Sequence, residues 1–272
     1  LGHEFVGVVE KVNGKEGKDL VGKRVVGTIN CVCEQCDMCK AGLREHCRDR
    51  TVLGILNRDG CFAEQFALPV RNLLPVPDSV DDDDAVFTEP LAAAYQLMRQ
   101  LTIEGRPYVT VLGDGRLGLL CAQVLSQSNA TVRCVGKHPE KLALCEKWGV
   151  KHRLLEDVGL RSDQDIVIDC TGSASGLETA MKMVRPRGKI VLKTTVAPGT
   201  PGSKPIDLSP LVIHEIQVIG SRCGPFPDAL AALIDKKIDV VSLISKRMQL
   251  KDGIEAIKAA HAGDTIKVLL EP

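Results

Sequence analysis

The chain has 272 residues, of which 44% are hydrophobic and 26% are charged, a composition typical of folded globular domains and inconsistent with global disorder. Its 35 basic and 35 acidic residues balance, so no net field favours binding to nucleic acid or to an anionic membrane. No apolar run reaches the roughly 18 residues of a membrane-spanning helix, and the first ten residues have no secretory-signal pattern.

The cysteines are unevenly distributed. Five of the eleven lie in the segment CVCEQCDMCKAGLREHC, residues 31–47. The other six are scattered through apolar segments, where isolated thiols behave as small hydrophobic side chains. A secreted disulfide scaffold would be shorter and would pair its cysteines. We therefore expect a reducing compartment, and specifically a cytoplasmic protein.

The first third of the chain has the pattern of a small β-rich unit. Residues 5–10 and 20–29 are β-branched runs interrupted by glycine, and predict strands. Strand-like alternation with proline stops returns at residues 60–77, after the cysteine loop. Four consecutive aspartates, residues 81–84, then precede a long apolar stretch, which is typical of a helix with acidic residues at its N-terminus.

From residue 108 strands and helices alternate. The buried strand YVTVLG is followed by a helix, and the same order repeats through the strand GKIVLKT at 188–194, with a single helix predicted at 139–150. This alternation predicts a parallel sheet covered by helices on both faces. A loop rich in Pro, Gly and Ser at residues 194–210 is expected at the rim of the sheet. The tail, residues 253–272, predicts a helix and then a strand.

The segment VLGDGRLG contains a dinucleotide-binding motif. Gly113, Gly115 and Gly118 have G-x-G-x-x-G spacing, directly after a predicted strand and at the start of a predicted helix. In this context the glycines permit a tight turn, close approach of the pyrophosphate and packing of helix on strand. The helix N-terminus, with Arg116 and Leu117 in its first turn, then offers unpaired N–H groups to the phosphates.

The end of the next predicted strand bears on the choice between NAD and NADP. An NAD site usually carries an acidic residue there, about 20 residues after the glycines, which accepts from the ribose 2′-OH. This sequence has Gly136 at that point, followed by Lys137 and His138. A small residue followed by cations favours a 2′-phosphate, so we predict NADP over NAD. Because Glu140 is an acidic residue close to this point, NAD stays the alternative.

Four cysteines of the loop have the spacing C-x2-C-x2-C-x7-C: Cys33, Cys36, Cys39 and Cys47. Four thiolates in a short loop suit tetrahedral zinc, and a site filled by sulfur has no open position for chemistry. A redox pair needs only two cysteines, and the spacing matches neither common ferredoxin pattern. We therefore predict a structural zinc. Cys31 is interpreted as a strand residue, and His46 as a weaker alternative to Cys47.

The order of these motifs, GHEFVGVV, the four-cysteine loop, EPLA and VLGDGRLG, resembles that of zinc-containing medium-chain alcohol dehydrogenases, which include sorbitol and threonine dehydrogenases. The resemblance covers essentially the whole chain. It implies an α/β protein with a GroES-like β-rich catalytic domain at residues 1–88 and a Rossmann doubly wound parallel sheet at 89–235. A C-terminal return, residues 236–272, would complete the catalytic domain. Relatives also imply a cleft between the domains, a small alcohol or carbonyl substrate, and a homodimer or homotetramer.

The resemblance also implies a second, catalytic zinc. His3 and Glu4 match the GHE motif, and Glu89 in EPLA matches an acidic position at the metal. A core histidine and a charge at a helix N-terminus are the alternative interpretations of His3 and Glu89. By the same resemblance Lys267 would contact the coenzyme pyrophosphate, and Arg222 would lie beside the nicotinamide. A solvated surface lysine and a structural arginine are the alternative interpretations.

Relatives supply a further cysteine ligand upstream of GHE, and no cysteine precedes His3 here, so we expect this catalytic domain to be N-terminally incomplete. The leading hypothesis is a zinc-dependent oxidoreductase that transfers a hydride between NADP(H) or NAD(H) and an alcohol or polyol. Two alternatives remain open: a zinc-free quinone or enoyl reductase of the same superfamily, and a non-catalytic dinucleotide-binding or scaffold protein.

Overall fold

The structure is a computed structural model that describes residues 1–196 and 205–272. Part of the loop predicted at the sheet rim lies outside these described residues. Two compact units are formed: residues Leu1–Ala92 with Pro225–Pro272, and residues Ala93–Gly224. The predicted domain boundaries, after residues 88 and 235, stay predictions. Among the described residues, no helix combines the length and the apolar character needed to cross a bilayer.

The N-terminal part of the first unit is built from short strands. Its strands and helices are β1 (Gly7–Val8), β2 (Arg24–Gly27), β3 (Asn30–Cys31), α1 (Asp37–Lys40), β4 (Thr51–Val52), β5 (Leu73–Pro75) and α2 (Asp82–Ala85). Helix α3 (Thr88–Gln100) begins in this unit and ends in the second. An antiparallel sheet has the order β1-β2-β5, and β3 pairs separately with β4. The strands are shorter than the sequence runs predicted, because residues 1–6 and most of 60–72 adopt no regular secondary structure.

The second unit contains a six-stranded parallel sheet. Its elements are β6 (Tyr108–Leu112), α4 (Arg116–Ser126), β7 (Thr131–Gly136), α5 (Pro139–Leu142), α6 (Leu144–Lys147), β8 (Lys151–Leu154), β9 (Gln164–Asp169), α7 (Gly176–Met183), β10 (Val184–Leu192), α8 (Ser209–Ile213) and β11 (Gln217–Gly220). The strand order is β11-β10-β9-β6-β7-β8, with every pairing parallel. The order reverses between β6 and β9, which is where doubly wound sheets bind ligands.

Burial explains why these segments form the centre of the sheet. Val111 of β6, Val167 of β9 and Ile190 of β10 are fully buried, as expected for strands covered on both faces. Helix α4 buries Gly118 and the seven residues after it. The predicted α/β class with a doubly wound parallel sheet is therefore confirmed. The single helix predicted at 139–150 is divided into α5 and α6.

The C-terminal segment belongs to the first unit. It contains α9 (Phe226–Ile234), β12 (Ile244–Gln249), α10 (Gly253–Ala260) and β13 (Lys267–Glu271). Strands β12 and β13 are parallel and α10 connects them. The guanidinium of Arg247 on β12 pairs with Asp83 of α2, so this segment is tied to the N-terminal part of the same unit.

Candidate active site and metal centres

The four-cysteine loop closes into a compact sulfur cluster. The Sγ atoms of its four predicted ligands, Cys33, Cys36, Cys39 and Cys47, lie within 4.8 Å of one another. The Sγ of Cys47 is 3.5 Å from that of Cys33 and 3.9 Å from that of Cys36. A tetrahedral zinc with Zn–S bonds of about 2.3 Å requires S–S separations of about 3.8 Å. The thiols therefore fit a zinc ion.

Backbone groups of the loop stabilise the thiolate of Cys36, whereas burial raises the pKa of Cys39 to about 12. The N–H of Cys33 donates to Cys47 Sγ at 3.3 Å, and the N–H of Cys36 donates to Cys33 Sγ at 3.4 Å. Hydrogen bonds from the backbone of Arg48 and Cys39 lower the pKa of Cys36 to about 6. Because the thiolate is the form that binds a metal, these hydrogen bonds prepare Cys36 to bind a cation.

The other two candidates in the loop lie outside this cluster. Cys31 is buried in β3, paired with Thr51 of β4, in keeping with its interpretation as a strand residue. His46 is exposed, whereas Cys47 is fully buried. In the described part of the chain it is Cys47, rather than His46, that groups with the other three cysteines.

His3, Glu4 and Glu89 form a second cluster, with ligand atoms within 4.8 Å of one another. His3 Nε2 lies 4.0 Å from Glu89 Oε2, and the side chains are 35% and 12% exposed. One imidazole and two carboxylates are nitrogen and oxygen donors that zinc accepts, and three protein ligands are the usual number in a catalytic site. This donor set also fits a metal.

Two separate elements bring these ligands together. The segment that carries His3 is held by backbone hydrogen bonds from Cys61 N–H to the Gly2 carbonyl, 3.0 Å, and from Phe62 N–H to the Leu1 carbonyl, 2.9 Å. Glu89 lies in the first turn of α3. The Thr88 hydroxyl, which donates to the Ala85 carbonyl at 2.7 Å, fixes the start of that helix.

Lys267, the first residue of β13, lies in this cluster. Its ammonium pairs with the Glu4 carboxylate and lies 4.8 Å from the centre of the Phe87 ring. The Lys267 side chain is 5% exposed and that of Glu4 is 12% exposed. The pair leaves the second carboxylate, Glu89, to balance a divalent cation. The contact between Lys267 and a pyrophosphate stays a prediction.

The glycine turn of the second unit has the backbone conformation and the open space that a phosphate-binding turn needs. Gly113 has φ +117°, and a Cβ there would lie 2.8 Å from the Cys170 carbonyl oxygen. A Cβ at Gly118 would overlap the Gly113 carbonyl, so both glycines are required by the fold. Gly115 is different, since its backbone is extended and a Cβ there would meet nothing within 4 Å. The open space at Gly115, at the N-terminus of α4, fits an approaching pyrophosphate.

A carboxylate that the sequence analysis missed lies beside this turn. A Cβ at Gly136 would overlap the side chain of Asp114. Asp114 Oδ2 accepts the N–H groups of Lys137 and His138, each at 2.7 Å, and His138 Nδ1 lies 3.0 Å from Asp114 Oδ1. The acidic group expected at the end of β7 is therefore present in space, supplied by the residue between the first two glycines. An acidic residue between the first two glycines of the motif was the sequence signal that could have revealed it.

Electrostatics keep Asp114 ionised. Burial alone would raise the pKa of Asp114, but hydrogen bonds from His138 and Lys137 outweigh it and hold that pKa below its usual value. The side chain of Asp114 is 9% exposed, and that of His138 is 38% exposed. The negative charge of Asp114 is therefore buried beside the turn, whereas the imidazole of His138 is half-exposed.

Arg222 follows β11, and a buried lysine fixes its backbone. Lys193, 8% exposed, donates from Nζ to the Arg222 carbonyl at 2.9 Å, to the Ser221 hydroxyl at 3.1 Å and to the Ala93 carbonyl at 2.6 Å. Sequence analysis missed Lys193, because nothing in the strand pattern distinguishes it from a surface lysine. The proximity of Arg222 to a nicotinamide stays a prediction.

Comparison with known families identifies the chain. The family model described as the alcohol dehydrogenase GroES-like domain matches residues 1–78, and the model described as the zinc-binding dehydrogenase matches residues 117–238. Together they match most of the chain, in the order expected for one enzyme. The chain belongs to the zinc-containing medium-chain alcohol dehydrogenase family. The GroES-like and Rossmann architecture predicted from the sequence is confirmed.

Curated relatives and solved structures agree with this alcohol dehydrogenase assignment. The L-threonine 3-dehydrogenase of Chelativorans sp. is 28% identical, with 99% of this chain and 81% of the relative covered. The sorbitol dehydrogenase of Halalkalibacterium halodurans is 29% identical, with coverage of 100% and 83%. A zinc-binding dehydrogenase of Sinorhizobium meliloti, solved with NADP, superposes with a TM-score of 0.89 at 27% identity, with coverage of 100% and 83%. A protein of Escherichia coli described as a short chain alcohol dehydrogenase, solved with NADH, gives a TM-score of 0.89 at 25% identity and the same coverage.

The prediction of a zinc-dependent, NAD(P)-linked oxidoreductase of alcohols or polyols is thereby confirmed. The four-cysteine cluster and the family assignment together support zinc and a nicotinamide cofactor.

Proposed function

We propose that this alcohol dehydrogenase interconverts a small polyol, or a related hydroxy compound, and its carbonyl form, and that it prefers NADP(H) to NAD(H). One observation carries the proposal: His3, Glu4 and Glu89 converge within 4.8 Å in a chain that also has a glycine-turn coenzyme site. The names of the relatives, which include a sorbitol and an L-threonine dehydrogenase, support hydroxyl-bearing substrates of this size.

His3, Glu4 and Glu89 would hold the catalytic zinc. When bound, zinc supplies a Lewis acid that polarises the substrate oxygen, while the nicotinamide carries the hydride. His3 binds through a neutral ring nitrogen, since an imidazolium has no free lone pair. Lys267 holds Glu4 as a carboxylate in a largely buried position, and α3 holds Glu89.

The coenzyme site belongs to the second unit. The extended backbone at Gly115 lets the pyrophosphate reach the N-terminus of the 11-residue helix α4. Lys137, exposed on the turn after β7, and His138 supply cationic groups for a 2′-phosphate. The relatives were solved with either NADP or NADH, so the preference for NADP rests on these two side chains.

The zinc at the four-cysteine cluster would be structural. Four thiolates complete a tetrahedral site and leave no position for substrate. Its role is to hold the loop between β3 and β4. Further parts of the proposal are a homo-oligomer, a dimer or a tetramer, and a cytoplasmic location.

Turnover and zinc content test the proposal together. The full chain, loaded with zinc, is assayed for reduction of NADP and of NAD with sorbitol, L-threonine and a simple primary alcohol, and its zinc is counted by mass spectrometry. We expect two zinc ions per chain and turnover with at least one of these hydroxyl substrates. His3→Ala should lose one zinc and the turnover, whereas His214→Ala, an exposed histidine, should lose neither.

Two results would contradict the proposal. One is a zinc-loaded chain that reduces neither coenzyme with any of the hydroxyl compounds. The other is His3→Ala protein that keeps both zinc ions and full turnover.

A further inference from the structure

A carboxylate from the turn after β6 and an imidazole from the turn after β7 are in contact. Asp114 fills the space next to Gly136, and its Oδ2 is occupied by two backbone N–H donors, those of Lys137 and His138. The carboxylate is thereby fixed below the turn with 9% of its side chain exposed. It is placed to hold the turn, with little surface left for a ribose hydroxyl.

The hydrogen bond to His138 determines which ring nitrogen carries a proton. An ionised carboxylate is only an acceptor, and His138 Nδ1 lies 3.0 Å from Asp114 Oδ1 and 3.1 Å from Oδ2. Nδ1 must therefore be the protonated nitrogen. In the neutral ring Nε2 is then a lone-pair acceptor, which repels an anion. Only the imidazolium donates from Nε2 as well.

We propose that Asp114 and His138 form a proton-coupled receptor for the 2′-phosphate of NADP(H), in which Asp114 fixes the ring and only protonated His138 holds the phosphate. The inference rests on the proposed use of NADP(H) and adds a specificity mechanism to it. A bound phosphate is held by the imidazolium and not by the neutral ring, so binding of NADP(H) takes up a proton. NADH has no 2′-phosphate, so its affinity should not depend on whether the His138 ring is protonated.

Several charged groups of the described residues belong to the two turns and to the helices that follow them. Asp114, from the turn after β6, is in contact with the ring. Lys137 precedes it on the turn, α5 supplies Glu140 and Lys141, and α4 begins with Arg116. Lys137 is the exposed basic group of this set, so it adds attraction for a phosphate.

Equilibrium binding of NADPH and NADH measures the coupling directly. The full, zinc-loaded chain is titrated by the fluorescence of the bound reduced nicotinamide between about pH 6.5 and pH 8.5, above the second ionisation of a phosphate near pH 6. The Kd for NADPH should rise about tenfold across this range, below the limit of tenfold per pH unit for one proton. The Kd for NADH should change less than about twofold.

Three variants separate the roles of the side chains. His138→Gln should make the Kd for NADPH independent of pH. Lys137→Gln, the matched control, should raise the Kd for NADPH at every pH. The dependence of that Kd on pH should stay as in the wild type. Asp114→Asn should reduce the slope, because the neutral ring is then free to donate from Nε2. An unchanged Kd for NADH in each variant shows that the turn is intact.

The outcomes distinguish the receptor from the coenzyme preference. NADPH could bind more tightly than NADH with a Kd that does not vary with pH, or that varies equally in His138→Gln. Either result would overturn the proposed Asp114–His138 receptor and leave the preference for NADP(H) in place. If NADH binds more tightly at every pH, the preference itself is wrong. Parallel pH slopes for NADPH and NADH also overturn the receptor, because the slope then has no connection with the 2′-phosphate.

Discussion

The ammonium of Lys267 pairs with the carboxylate of Glu4, 263 positions earlier in the chain. Both side chains are largely buried, 5% and 12% exposed. The pair links the last strand of the first unit to the segment that carries the candidate metal ligands. A single contact therefore joins the stability of this unit to the charge of the candidate metal cluster.

Lys267→Met should destabilise the chain by about 3 kcal/mol, because it leaves the Glu4 carboxylate buried without its partner. The double variant Glu4→Gln with Lys267→Met should be less destabilised than Lys267→Met alone. Denaturant unfolding measures both. Lys246→Met, an exposed position on β12, is the control and should change stability by less than about 0.5 kcal/mol. Equal effects at positions 246 and 267 would contradict the importance of the pair.

Gly115→Ala should separate folding from coenzyme binding. A Cβ at Gly115 meets nothing within 4 Å, so the free energy of unfolding should change by less than about 1 kcal/mol. The Kd for NADPH should rise at least about tenfold, or 1.4 kcal/mol, because the methyl group occupies the approach of the pyrophosphate.

Gly118→Ala is the contrasting variant, since its Cβ would overlap the Gly113 carbonyl. It should lose about 1–3 kcal/mol of stability. Thermal unfolding and equilibrium titration distinguish the two. A Gly115→Ala protein that binds NADPH normally would show that the ligand approaches elsewhere.

Cys36→Ser should release the zinc of the four-cysteine cluster and lower the melting temperature by at least about 5 °C, with turnover per folded chain retained. Cys31→Ser is the matched control, because Cys31 is a buried cysteine of the same loop outside the cluster. It should keep its zinc. A strong chelator should bring the wild-type melting temperature down to that of Cys36→Ser. Loss of turnover at an unchanged melting temperature would argue against a structural metal.

Asp165 should contribute stability that disappears in acid. Burial alone would raise the pKa of Asp165, but the Tyr108 N–H, 2.7 Å from Oδ2, and the Arg185 guanidinium, 2.6 Å from Oδ1, hold that pKa below its usual value. A carboxyl with a depressed folded-state pKa stabilises above its unfolded value, about 3.9, and loses this contribution as the pH falls through the lower folded value.

Asp165→Asn should therefore cost about 1 kcal/mol at neutral pH, and the difference from the wild type should shrink as the pH falls below about 4. Chemical denaturation at a series of pH values measures this. Asp157→Asn, at an exposed aspartate of the same unit, is the control and should show no such convergence. A stability difference between the wild type and Asp165→Asn that grows as the pH falls would contradict a lowered pKa for Asp165.

The parts of the fold that depend on local pattern could be predicted. Apolar runs of strand length, separated by helical segments, predicted the parallel sheet of the second unit, because such strands are buried on both faces and have no polar alternation. The cysteine spacing predicted a four-sulfur cluster, because all its members lie within one short loop. Residues 60–77 failed as a strand prediction, since only Leu73–Pro75 pairs with β2.

The parts of the site that depend on distant contacts were harder to predict. His3 and Glu89 come from separate elements, and only the order of the motifs suggested that they meet. Asp114 was missed because a motif specifies where an acid lies in the sequence, whereas this carboxylate reaches the end of β7 from the turn after β6. Whether the metal cluster and the coenzyme turn face each other stays a prediction.

The overlap between Asp114 and any side chain at position 136 limits how this enzyme's coenzyme choice can change, in evolution or by design. Placing an aspartate at the end of β7, the customary way to favour NAD, would force the existing carboxylate out and release the backbone of Lys137 and His138. Position 136 is open to an acid only after position 114 has become small. The two sites must be exchanged as a pair, and neither single step is expected to yield a functional NAD enzyme.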